Sequence, residues 1–253
     1  MIYGLYLSAT GVLTSTYRQD VIANNLANSE TVGFKKDLAL FQERPVAADE
    51  PGHAGAPGND LLDNMTGGLL AMPTRIDMSQ GTLVNTGSNF DAAIQGSGLF
   101  EVQSGANTRL TRNGQFMIDS QGNLVLSNDH GEKVLGDDSK PIQIDPTQPM
   151  TIGSTGQIVQ GGKTVAQLGL FDVPKPEQLK KEGNGLYSYP NLKTMTPATG
   201  SIVGQTLEQS NVDPTTEMTS LMDAERQLEA NMNMIRYQDA TLSALVNQVG
   251  KVS

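Results

Sequence analysis

Leu221, Leu228, Ile235, Leu242 and Val249 recur every seven residues along the end of the chain, and this spacing constrains the fold more than any other feature. A seven-residue repeat holds one narrow apolar stripe on one side of a helix, and a second helix is what covers such a stripe. Met218, Met232 and Val246 supply part of a second seam position, which Glu225 and Asp239 interrupt. The segment opens at Asp213-Pro214, where the aspartate accepts from the orphan N–H groups of a first turn and proline fits without losing a needed donor. A helix of roughly 35 residues is about 50 Å long at 1.5 Å per residue, more than one small domain covers. The spacing therefore favours a coiled-coil partner over a helix lying on its own β-domain.

The obvious partner stands at the other end of the chain. Proline is absent from Ile2 to about Ala27, and Ile2, Leu5, Ala9, Val12, Thr16, Ala23 and Leu26 follow helical intervals, with a polar gap at Gln19. Gly4 and Gly11 each cost about 1 kcal/mol relative to alanine inside a helix. Both terminal helices are expected to stay frayed until they pack.

Between the helices the pattern changes twice. From Glu43 to Pro73 the chain is rich in Gly, Pro, Ala, Asn and Asp, a composition expected of a loop or mobile arm. From Gly81 to about Gly204, short runs such as Leu124-Val125-Leu126, Ile142/Ile144, Ile152, Ile158-Val159 and Leu168/Leu170 alternate with turn formers at Asn113-Gly114, Gln121-Gly122-Asn123, Gly131, Gly153, Gly156 and Gly161-Gly162. These predict antiparallel hairpins of a barrel or sandwich. The expected class is mixed, mainly β: an antiparallel β central domain flanked by N- and C-terminal helices that pack as a coiled coil. The expected limits are 1–30 for the first helix, 31–80 for an extended arm, 81–204 for a self-sufficient β domain and 205–253 for the final segment.

Charge and composition narrow the function. With 17 Lys+Arg against 27 Asp+Glu the formal charge is −10, which repels phosphate backbones and anionic lipid, so neither nucleic acid nor membrane insertion is expected. No apolar run approaches the roughly 18 to 20 residues that span a bilayer. The chain has no cysteine, hence no thiol nucleophile and no Cys-ligated zinc. MIYGLYLSATGVL lacks the leading positive charge of a signal peptide, the first basic residue being Arg18, so cleavage is not expected.

Isolated motifs read as structure. Gly96-Ser97-Gly98 departs from a dinucleotide loop at Glu101 and suits a tight turn entering a strand. Thr111-Arg112-Asn113-Gly114 reads as a hairpin turn, with Arg112 a surface or interface ion-pair donor. His53 and His130 lie in Gly- and Asp-rich turns without metal-ligand spacing, and the Asp119 to Asn123 turn lacks an EF-hand loop. No catalytic, cofactor or metal residues are expected.

Ala23-Asn24-Asn25-Leu26-Ala27-Asn28-Ser29-Glu30-Thr31-Val32-Gly33-Phe34-Lys35 resembles the ANNLAN-x-x-T-x-GFK signature of flagellar rod and hook proteins. Three further segments resemble that family in the same order: Gly81-Thr82-Leu83 through Phe90 to Phe100, Leu110 to Phe116, and Leu207-Glu208-Gln209-Ser210-Asn211-Val212. The resemblance implies a structural subunit of the basal-body rod, of proximal or distal class. It implies terminal helices lining an axial tube and passage through the flagellar type III export apparatus without cleavage. Copies of itself and other rod or hook subunits are the implied partners. One departure is Arg226-Gln227-Leu228-Glu229-Ala230-Asn231, where Leu228 replaces the family's usual aromatic residue. The short middle region argues against the hook subunit. Resemblance and spacing together mark Asn24, Asn25, Leu26, Asn28, Gly33, Phe34, Leu221, Leu228, Ile235, Leu242 and Val249 as assembly residues. The competing reading is a secreted adhesin or glycan-binding β-domain with oligomerising helices.

Overall fold

The computed structural model describes residues 2–44, 68–128 and 130–249, with only the backbone of Ile2, Gln248 and Val249. The chain divides into two compact units, each assembled from separate stretches of sequence. The first comprises Met1–Ala27, Asp37–Arg75 and Asp213–Ser253, and the second Asn28–Lys36 and Ile76–Val212.

Helix α1 (Ile2–Ala27), helix α2 (Pro214–Val249) and a two-stranded sheet of Asp37–Glu43 with Leu69–Ile76 form the first unit. The sheet lies in the stretch 31–80 expected as an extended arm; 45–67 of that stretch are outside the described residues. Asp213 caps α2 as expected, its Oδ1 accepting from Thr215 N at 2.9 Å and its Oδ2 from Thr216 Oγ1 at 3.0 Å.

The helices pack side by side and run antiparallel. A Cβ placed on Gly4 would lie 2.8 Å from Gln238 Nε2, and one placed on Gly11 would lie 2.7 Å from Asn231 Nδ2. Seven residues forward on α1 thus correspond to seven back on α2. Leu221, Leu228, Ile235 and Leu242 are half-buried along this seam, consistent with the coiled-coil pairing expected of them. The second seam position differs from the expected one. Glu217, Ala224, Asn231 and Gln238 turn inward, whereas Met218, Met232 and Val246 are exposed. On α1 the buried residues are Ser8, Thr14, Ser15, Val21, Ile22 and Asn25, while Thr16 and Ala23 of the expected stripe face outward. The physical reason is close approach: glycines admit large amides of the facing helix, so the seam follows the residues without side chains rather than the most apolar ones. The sheet flanks α1, with Tyr17 edge-on to Phe41 at 6.1 Å and its hydroxyl donating to Met72 O at 2.9 Å.

All strand pairings assigned in the second unit are antiparallel. Its largest sheet is built around Leu99–Ser104, which pairs with Asn107–Thr111, Lys133–Val134 and Leu170–Asp172. A three-stranded sheet of Met150–Ile152, Gln157–Gln160 and Lys163–Gln167 stands apart from it. Two small pairings bring the end of the unit back to its beginning: Ser201–Gly204 with Ala92–Gln95, and Thr206–Glu208 with Leu83–Asn85. Phe100, Val102, Leu124, Leu126, Ile142, Ile144, Ile158 and Ile202 share one core; Leu99, Leu110, Tyr187 and Tyr189 belong to a second. Ile142 and Ile144 fill the core from irregular backbone rather than from the strand expected there.

Several turn signals hold, including the hairpins at Gly122 and at Gly161-Gly162. Asn113-Gly114 does not make a hairpin. Asn107–Thr111 and Phe116–Ile118, on either side of it, pair with other strands, and Gly114 O instead accepts from Ala92 N at 3.0 Å.

Candidate functional site

Four segments singled out by their sequence meet inside the second unit. The chain leaves α1 through a tight turn, Thr31 N donating to Asn28 O at 3.2 Å and Thr31 Oγ1 to Asn28 Oδ1 at 3.3 Å. Gly33 follows with φ of 67°, a conformation that favours glycine, and a Cβ there would lie 2.6 Å from the carbonyl carbon of Arg112. Its N–H donates to Glu208 O at 2.8 Å. Phe34 is buried under the Lys181 ammonium, 3.9 Å from the ring centroid, and Lys181 Nζ also donates to Lys35 O at 2.6 Å.

Lys35 then enters a sealed ionic cluster. Its Nζ donates to Glu208 Oε1 at 2.6 Å and to Ser79 O at 2.7 Å. Glu208 Oε2 accepts from Arg112 Nε at 2.6 Å, and Gly81 N donates to Oε1 at 2.8 Å. The side chains of Lys35 and Glu208 are fully buried and that of Arg112 nearly so. The rest of the guanidinium is wrapped by the Gly96-Ser97-Gly98 turn, donating to Ile94 O at 3.1 Å, to Gly96 O at 2.6 Å and to Gly98 O. Arg112 is therefore a buried ion-pair donor rather than a surface one. Gly96-Ser97-Gly98 is the expected turn into the strand Leu99–Ser104, and it additionally supplies carbonyls to a cation.

Two cations against one carboxylate leave a net positive interior. Burial, reinforced by the neighbouring guanidinium, pulls the Lys35 ammonium below its ordinary value, against the opposing pull of Glu208. Asn211 fastens the same strands from the side, its Oδ1 accepting from Lys36 N at 2.8 Å and its Nδ2 donating to Asp77 O at 2.9 Å. The segment that follows α1 and the segment that precedes α2 are thus clasped together within one unit.

The other marked residues lie in the first unit, apart from Asn28, Gly33 and Phe34. Asn25 is buried and grips Asp37 twice, Nδ2 donating to its O at 2.9 Å and Oδ1 accepting from its N at 2.8 Å. Asn24 is exposed and Leu26 half-buried. Val249 is the last residue of α2, and its side chain lies outside the described residues, as does His53. Sequence reading missed Lys35, Arg112 and Glu208 as a set, although each stands in one of the quoted motifs. The available signal was a lone charge in two otherwise neutral stretches, Leu110 to Phe116 and Leu207 to Val212, and the lysine that closes the first motif. His130 is exposed, with Nδ1 3.3 Å from Asn184 Nδ2. Asp119 accepts from Gln121 N, Asn123 N and Asn123 Nδ2. Among the described residues there is no group of three or more His, Cys, Asp or Glu able to hold a metal, and no helix is long and apolar enough to cross a membrane.

These features define a class of protein: a structural chain whose terminal helices pair with each other and whose β-rich unit is closed by a buried clasp between its two ends. Comparison with known families agrees. Residues 5–35 match the flagella basal body rod protein family, 93–160 the flagellar hook protein FlgE/F/G D1 domain, and 203–249 the flagellar basal body rod FlgEFG protein C-terminal family. The chain is 32% identical to flagellar basal-body rod protein FlgF of Caulobacter vibrioides, covering 98% of both chains. It is 33% identical to flagellar basal-body rod protein FlgG of Bacillus subtilis over 98% of this chain and 99% of that one. Flagellar hook-basal body complex protein FlhO of Bacillus subtilis is 24% identical over the whole of both. The chain belongs to the flagellar basal-body rod protein family.

Proposed function

We propose that this chain is a structural subunit of the flagellar basal-body rod that self-assembles into the axial shaft through its terminal helices. The observation that carries the reading is the uncovered seam on α2. α1 occupies the line of Glu217, Ala224, Asn231 and Gln238, so the neighbouring line of Met218, Met232 and Val246 is left open. α1 in turn exposes Tyr6 and Leu13, seven apart. Open seams of one period on both helices suit contacts between copies, and contacts that do not close generate a helical array. Other rod and hook subunits are the remaining partners. The chain reaches the cell envelope through the flagellar type III export apparatus without cleavage and stands in the periplasm-spanning rod.

The test uses two kinds of variant in a strain lacking the gene. Leu228→Asp or Ile235→Asp places a charge in the intrachain seam, and Met232→Glu places one in the open seam; each buried charge costs several kcal/mol unless paired. All three are expected to abolish rod incorporation and motility while the second unit stays folded. Normal rods in all three refute assembly through the helices. Label found away from the shaft by electron microscopy of basal bodies supports the adhesin reading instead.

A further inference from the structure

The exposed surface of α2 is rich in one chemistry. Met218, Met222, Met232 and Met234 are 53%, 50%, 42% and 51% exposed, whereas Met150 in the core is 2% exposed. The chain has no cysteine and no tryptophan, so exposed thioethers are its most readily oxidised side chains. Met218 and Met222 are four apart and Met232 lies two heptads beyond Met218, which puts these three along one side of the helix; Met234 lies across from them.

We propose that this methionine row is a modification site at which peroxide-class oxidants withdraw the free subunit from assembly. A thioether sulfur attacks one oxygen of hydrogen peroxide; the S–O bond forms as the O–O bond breaks, the sulfur loses two electrons, and the displaced oxygen leaves as water. The product sulfoxide is a strong acceptor on a formerly apolar knob, and burying it without a donor opposes docking. The occupant it repels is a second copy of this chain. Met218, Met232 and Val246 stand fourteen apart on one heptad line, with Glu225 and Asp239 between them, and α1 of another copy presents apolar residues at heptad spacing at Tyr6 and Leu13. Assembly shields the row, so the reaction belongs to subunits not yet incorporated. This inference rests on the self-assembly reading above.

The experiment treats the purified full-length chain with hydrogen peroxide, maps added oxygen by mass spectrometry and measures self-association by sedimentation. All four α2 methionines are expected to gain oxygen while Met150 stays reduced, with helix content unchanged by circular dichroism. Association should weaken by roughly tenfold or more for a sulfoxide buried at the contact. Methionine sulfoxide reductase should restore it. A chain carrying Met218→Leu, Met222→Leu, Met232→Leu and Met234→Leu should associate before and after peroxide alike. Met117→Leu, at an exposed residue of the second unit, should leave the sensitivity as it was. Undiminished association of the oxidised chain, or equal loss in the fourfold leucine variant, overturns the proposal. If the reduced chain fails to associate at all, self-assembly in isolation is refuted. The oxidation proposal is then judged in cells, where newly formed rods under peroxide should persist only with the leucine variant, and equal counts overturn it.

Discussion

Replacing Glu208 by glutamine tests whether the clasp holds the second unit together. Glu208 is 1% exposed, and its carboxylate accepts three hydrogen bonds, from Lys35 Nζ, Gly81 N and Arg112 Nε. An amide of the same size offers one accepting oxygen, and its NH2 must point at a donor whichever way it is turned. The substitution also leaves two cations buried with no counter-charge. Removing one partner of a buried ion pair costs about 3–5 kcal/mol, so Glu208→Gln is expected to lose that much stability near neutral pH. Part of the loss can be relieved by Lys35 shedding its proton, because its folded-state value already lies below the ordinary 10.5. Between those two values the unfolded chain binds the extra proton, so stability rises with pH there. The deficit of the variant should therefore shrink on going from pH 7 toward pH 10, and adding Lys35→Met should recover part of it at neutral pH. Urea unfolding followed by tyrosine fluorescence and circular dichroism measures each quantity. A loss below about 1 kcal/mol, the range of an exposed ion pair, refutes the argument.

Gly11→Val should open the helix pair, since even its Cβ meets Asn231 Nδ2 at 2.7 Å; overpacking of this kind costs about 1–3 kcal/mol. Asn231→Ala in the same chain should restore the pairing, read as recovered helix content. Glu101 is buried with a hydrogen bond from Ser139 Oγ at 3.2 Å, and burial pushes its carboxyl above 4.5 against that bond. A raised folded-state value means stability falls as pH climbs from 4.5 through that value, and the loss persists above it. Glu101→Gln should accordingly stabilise the chain at pH 7 and flatten that slope, as measured by thermal melts.

The two helices and the cap of α2 were legible because a seven-residue repeat and an Asp-Pro start are local signals. Which faces meet was not legible from hydrophobicity. Gly4 and Gly11 contribute by having no side chain, and Asn231 and Gln238 fill the space so created. An apolar stripe therefore pointed to Met218 and Met232, which the chain leaves open. The clasp was hidden for a different reason. Lys35 and Glu208 stand 173 residues apart and Arg112 and Glu208 96 apart, so nothing near any of them announces a partner. The motifs marked the right stretches, and only the return of Thr206–Glu208 beside Leu83–Asn85 brings their charges together.

That return also decides where the β unit ends. A fragment covering 81–204 contains the turn-rich middle, yet it lacks Lys35, Glu208 and the strand that pairs with Leu83–Asn85. Arg112 remains in it, held by the carbonyls of residues 94, 96 and 98 but deprived of its carboxylate. In the whole chain Arg112→Met breaks a buried pair and should destabilise by about 3–5 kcal/mol. In the fragment the same substitution removes an uncompensated buried charge and replaces it with an apolar side chain of similar reach, so it should stabilise. The sign of one mutation is thus expected to reverse between the two contexts, and thermal melts of four proteins measure it. If Arg112→Met destabilises the fragment as much as the whole chain, the guanidinium's value lies in its three carbonyl contacts. The ionic clasp would then not be what closes the unit.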